Sequence, residues 1–116
     1  MSRQNRPEVT RTGRNSARAG KSYPLPPEKV VQAIRKVADR LPDWEFAGES
    51  EGEGEIRLVH KTKLLRFRDD VRVRVAAEGS GSKLVAKSSS RIGRSDLGRN
   101  PKNLEELIPA IDRELG

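Results

Sequence analysis

"LLRFRDDVRVRVAA", Leu64 to Ala77, is the stretch on which the fold turns. Leu65, Phe67, Val71, Val73, Val75 and Ala77 share one parity, and Arg66, Arg68, Asp70, Arg72 and Arg74 share the other. Alternation of this kind is a half-buried antiparallel strand with an apolar inner face and a charged outer face. The arginine stripe reads as the solvated exterior of a sheet. Asp69 breaks the pattern, because it falls on the apolar parity. Either the strand bulges at Asp69-Asp70, or a carboxylate points inward and needs partners.

"GSGS" (Gly79–Ser82) follows as a hairpin turn, since glycine supplies the positive φ that tight turns require. A turn symmetric about these four residues sets Val75 opposite Ala86, Val73 opposite Ser88, Val71 opposite Ser90 and Asp70 opposite Arg91. Inner positions then meet inner positions. The inner face changes from aliphatic to Ser88 and Ser90 where Asp69 turns inward, so one end of the sheet is polar.

Working outward, Val30, Val31, Ile34, Val37, Ala38 and Leu41 repeat at helical spacing and predict a helix over about residues 27–41, with Pro27 in its first turn. "SYPL" (Ser22–Leu25) reads as a short strand before it. "WEFAGES" and "EIRLVHKT" read as two strands of a meander joined near Glu51–Gly54. Leu104, Leu107, Ile108, Ile111 and Leu115 mark a final helix, begun at Asn100 or by an Asn103/Glu106 capping box and kinked at Pro109. The order is strand, helix, four antiparallel strands, helix. This is an α+β domain over residues 22–116, with its helices packed on one face of a curved sheet. Both TATA-binding-protein-like folds and a shortened helix-grip share that order, a likeness that transfers no function.

The chain has 116 residues, only 33% hydrophobic and 3% aromatic, so its core is small and aliphatic. No window approaches the ~18 apolar residues that span a bilayer, and no secretory signal is visible, which points to the cytoplasm and leaves organellar targeting open. With no cysteine and one histidine, neither thiol catalysis nor an internal zinc site is expected; His60 reads as a satisfied strand-end residue. No cofactor is implied. The net charge is +7, and residues 1–21 hold +5 of it through Arg3, Arg6, Arg11, Arg14, Arg18 and Lys21 against Glu8. This segment reads as a disordered basic tail. Such a tail offers sequence-independent contact with nucleic-acid phosphates, with no aromatic residues interleaved for base stacking.

Between the last strand and the last helix lies "SSSRIGRSDLGRN", Ser88 to Asn100. Arg91, Arg94 and Arg99 offer forked donors, Ser88, Ser89, Ser90 and Ser95 donate or accept, and a helix start near Asn100 adds a positive dipole end. Together with Asp69 and Asp70 they form a candidate site for an anionic ligand or a protein partner. The competing reading is self-locking. In it Asp70 pairs with Arg91, Asp69 accepts from Ser88 or Ser90, and Asp96 ties down loop amides. Catalysis has little support: adjacent aspartates on a regular strand point to opposite faces and form no carboxylate dyad.

These residues carry a resemblance. A phenylalanine shortly before paired aspartates, then Ser-x-Ser-Arg-x-Gly-x-x-Asp-x-Gly-x-Asn, is the pattern of the family catalogued as domain of unknown function 1499. Phe67, Asp69, Asp70, Ser88, Ser90, Arg91, Gly93, Asp96, Gly98 and Asn100 match it. The arginine usual three positions after the asparagine is Asn103 here. The resemblance implies a fold and a set of candidate residues over roughly residues 22–116, and no reaction.

Overall fold

In the computed structural model of the chain, residues 8–13, 15–50, 54–62, 67–91 and 98–116 are described. The elements run β1 (Glu8–Gly13), β2 (Ser16–Tyr23), α1 (Pro27–Arg40), β3 (Trp44–Ser50), β4 (Glu55–Lys61), β5 (Arg68–Glu78), β6 (Gly81–Ser90) and α2 (Arg99–Leu115). The strands form one antiparallel sheet in the order β1-β2-β6-β5-β4-β3. It stays open, and the architecture is α+β.

Two strands, not one, precede the first helix. Residues 8–13 and 16–23 are paired strands where the sequence suggested a disordered tail and a short strand at Ser22–Leu25. The ordering force is burial: Ala17, Ala19 and Tyr23 alternate onto the inner face, and β2 pairs with β6 from Ser16↔Ser89 to Tyr23↔Ser82. The ordered unit therefore includes β1 and begins before Ser22.

Both helices cover one face of the sheet. The apolar stripe of α1 (Val30, Ala33, Ile34, Val37, Ala38) and that of α2 (Leu104, Leu107, Ile108, Ala110, Ile111) close over Ile56, Leu58, Val71, Val73, Val75, Leu84 and Ala86. Each valine, leucine or isoleucine among them contributes on the order of 1.5–3 kcal/mol when fully withdrawn from water. Trp44 is buried, whereas Phe46, of the same expected parity, is 43% exposed at the outermost strand. There the guanidinium of Arg35 lies over its ring at 5.7 Å.

The β5–β6 hairpin keeps the expected parity but not the expected register. Its turn is only Gly79-Ser80, closed by Glu78↔Gly81, with Gly79 at φ +58°. Val75 thus faces Leu84, Val73 faces Ala86, Val71 faces Ser88 and Asp70 faces Ser89, two residues from the symmetric four-residue turn. A shift of two leaves every side chain on its face. α2 starts at Arg99 after Gly98, which takes the left-handed conformation at φ 82° with no side-chain cap, so neither Asn100 nor an Asn103/Glu106 box begins it.

Candidate functional site

At the polar end of the sheet, register aligns Trp44, His60, Asp69 and Ser90 across the inner face. Asp69 does not bulge; it points inward and is fully buried. Arg99 reaches its carboxylate from α2 with Nε at 3.1 Å and Nη2 at 3.0 Å. Ser90 Oγ donates to it at 2.8 Å and Asn103 Nδ2 at 2.9 Å. Burial pushes the Asp69 carboxyl up, but the hydrogen bonds from Arg99, Asn103 and Ser90 outweigh it and hold the group below its ordinary value.

The neighbouring groups bind one another. Ser88 Oγ donates to Asn100 Oδ1 at 2.6 Å, and Asn103 Nδ2 to Ser88 Oγ at 3.2 Å. Asn100 Nδ2 donates to the Asn15 carbonyl at 2.7 Å and to Ser90 Oγ at 2.9 Å, which ties α2 to the β1–β2 connection. Asn103, at the position where the family pattern carries arginine, is buried and bridges Asp69 to Ser88. The cation on Asp69 is instead Arg99, one turn earlier on the same helix face, with Phe67 stacked 4.6 Å from its guanidinium carbon.

Asp70 faces the other way. Arg91 donates to it through Nε at 3.1 and 3.0 Å and through Nη2 at 2.8 Å, in a diagonal cross-strand pair with side chains 41% and 44% exposed. Asp69 and Asp70 therefore lie on opposite faces. Gly93, Arg94, Ser95 and Asp96 lie outside the described residues, as do Arg3, Arg6 and Arg14. Of the other cations assigned to the tail, Arg11 is exposed on β1 and bonds the Gly13 carbonyl, while Lys21 faces inward and pairs with Asp112 of α2 at 2.5 Å. Arg18 faces outward. His60 is not the satisfied residue expected: it meets Trp44 edge to face at 5.0 Å, and its Nδ1 is buried without a hydrogen bond.

The outer face of the sheet holds an arrangement that strand-by-strand reading does not reveal. Register places Arg18 beside Lys87, Lys87 beside Arg72 and Arg72 beside Arg57, all on the face away from the helices. Four adjacent strands thus contribute one cation each to a single row about 14 Å long at the ~4.8 Å strand spacing. None of the four has an ion-pair partner among the described residues, whereas nearby Arg74 approaches Glu55 at 3.5 Å. Gly48 ends the row on β3 without a side chain, and the Arg57 guanidinium occupies that room: a Cβ on Gly48 would stand 2.6 Å from Nη2. Alongside the row lies a recess of about 440 Å³ lined by Arg18, Glu55, Arg72, Arg74, Val85 and Lys87. It adjoins a second, of about 330 Å³, to which Arg18, Gly20, Lys83 and Val85 contribute. The signal for the row was present in the sequence as outward-facing basic residues on each strand, but only register brings them into line.

Among the described residues no group of His, Asp and Glu is placed to hold a metal ion, and no helix is long and apolar enough to cross a membrane.

Residues 3–111 match the family described as "Protein of unknown function (DUF1499)", and the chain belongs to that family. No curated protein matches it. Among solved structures it is similar to Ara h 8.0201, with a TM-score of 0.57 and 11% identity over 86% of this chain and 96% of that one. It is also similar to CalU16 from Micromonospora echinospora, with a TM-score of 0.55 and 14% identity over 95% and 85% of the two chains. Likeness at this identity concerns the fold alone and is compatible with the helix-grip order.

Proposed function

Since the family prescribes no activity, we propose from the residues alone that this chain is a non-enzymatic module that binds a polyanionic partner through the outer face of its sheet. The observation that carries the reading is the unpaired cation row Arg18–Lys87–Arg72–Arg57. Like charges directly opposite on neighbouring strands repel. Three such contacts in succession are unfavourable for folding unless a counter-charge sits above them. A run of one sign of charge beside a recess raises the local concentration of anions.

The polar end supports this choice by contrast. Asp69, Ser88, Ser90, Arg99, Asn100 and Asn103 satisfy one another, which favours a structural lock there over a ligand site. The opposite orientations of Asp69 and Asp70 favour a non-enzymatic reading. Arg18, one of the cations of residues 1–21, is a strand residue in line with Lys87, which favours the sheet as the surface for such contact. Deleting residues 1–21 removes β1 and most of β2, so point substitutions are the cleaner probe.

Thermal melting in the presence of inorganic polyphosphate tests the proposal. A ligand that binds the folded state at 100 times its Kd stabilises it by about 2.7 kcal/mol. The melting temperature should rise with polyphosphate for the unaltered chain and stay fixed for Arg72→Glu/Lys87→Glu. No rise for the unaltered chain at low salt sinks the reading.

A further inference from the structure

We infer that the polyanion this face fits is the phosphate backbone of a double-stranded nucleic acid, bound without regard to sequence; this rests on the reading of the face as a polyanion site. The cation row is single-file, one residue per strand, and about 14 Å long at the ~4.8 Å strand spacing. Duplex DNA carries one phosphate per ~1.7 Å of axis when both strands are counted, so a 14 Å footprint meets about eight phosphates. One strand at the same rise of ~3.4 Å per phosphate offers about four, half as many. Proteins that bind single strands without sequence preference add affinity by stacking bases on aromatic side chains. The chain has four aromatic residues, and none is available for that on this face. Tyr23 and Trp44 are buried on the inner side, Phe67 lies under Arg99, and Phe46 faces Arg35 of α1.

An anionic membrane is the other flat polyanion. Proteins that lie on a membrane add an apolar face that enters the headgroup boundary. Here the large apolar residues of the outer face, Val59 and Val85, are buried and half-buried among charged neighbours, the exposed Ala76 adds only a methyl group, and Phe46 is the sole exposed large hydrophobic residue described. Gly20 and Val85 make a low floor in the next row beside Arg18, Lys87 and Arg72; Arg74 shares that row and is held by Glu55, Lys83 stands beyond it, and Glu8 lies at the far margin. Arginine forks suit phosphate oxygens in that setting.

The test is fluorescence anisotropy of the full chain with a 20-base-pair DNA duplex of arbitrary sequence and with oligo-dT of equal length. Heparin binding and pelleting with phosphatidylserine vesicles run beside it. For four phosphate-neutralising cations, log K should fall against log salt with a slope of about −3.6 on duplex. Arg72→Gln and Lys87→Gln should each reduce the slope by about 1, while Lys29→Gln on α1, away from the face, should leave it unchanged. Duplex binding at least several-fold tighter than oligo-dT, with that pattern of slopes, supports the inference. Equal or tighter binding to oligo-dT overturns it and leaves the polyanion reading standing. Vesicle binding without duplex binding does the same. A slope unaltered by Arg72→Gln and Lys87→Gln also overturns it. Failure to bind heparin, duplex and vesicles alike removes the broader reading together with this one.

Discussion

Asp69 and Asp70 are adjacent in sequence, yet their side chains meet opposite surroundings. Removing Asp69 leaves Arg99, 15% exposed, without its carboxylate and strips Asn103 and Ser90 of an acceptor. Asp69→Ala should therefore cost about 3 kcal/mol, as breaking a buried pair does. Asp70→Asn opens only an exposed pair and should cost about 0–1 kcal/mol. Denaturant melts of the two variants check the ordering, and an Asp70 loss as large as the Asp69 loss contradicts it. The same carboxylate gives a pH dependence. Its folded value lies below the unfolded one of roughly 3.9. Its contribution is therefore present above pH ~4, and is lost as pH falls through the folded value because the unfolded chain takes the proton first. Melts between pH 7 and pH 3 should show this loss, and Asp69→Asn should lack it. The inward turn of Asp69 was legible from parity in one strand. The identity of its cation was not, because Arg99 lies 30 residues away and reaches it only once α2 docks.

At the scale of elements, the cation row ties the pairing of the strands to the proposed binding face. Each strand presents an acceptable polar exterior by itself; the conflict arises between strands. Replacing Arg72, which is flanked by Lys87 and Arg57, should relieve repulsion. Arg72→Gln is expected to raise stability by about 0.2–1 kcal/mol at low salt, the scale of cross-strand pairs. The gain should shrink as salt screens the row. Equilibrium unfolding at 20 mM and 500 mM salt checks it; a loss of stability at low salt would mean Arg72 has an attractive role within the folded chain. Strand parity, both helices and the inward aspartate could be read from local periodicity. The β5–β6 register could not, because Gly79–Ser82 is compatible with a two-residue or a four-residue turn of the same parity. β1 and β2 were missed because small residues carry their burial. Ala17, Ala19 and Tyr23 alternate, but the arginines, serines and glycines between them look like an unstructured tail.

For the molecule as a whole, the two faces of one sheet differ in chemical character. The inner face holds the aliphatic core and, at one end, a polar lock that fastens α2 to β5, β6 and the β1–β2 connection. The outer face collects positive charge that the core does not need. The charge of residues 1–21 and of the later strands therefore acts partly as one surface, since Arg18 stands in line with Lys87, Arg72 and Arg57. Elution from immobilised heparin tests this most directly. Arg72→Glu/Lys87→Glu should leave the column at much lower salt than the unaltered chain, while Lys29→Glu/Lys36→Glu, an equal change of net charge on α1, should shift elution far less. Equal shifts for the two pairs would mean that net charge alone governs binding, and would contradict a site built by the register of the sheet.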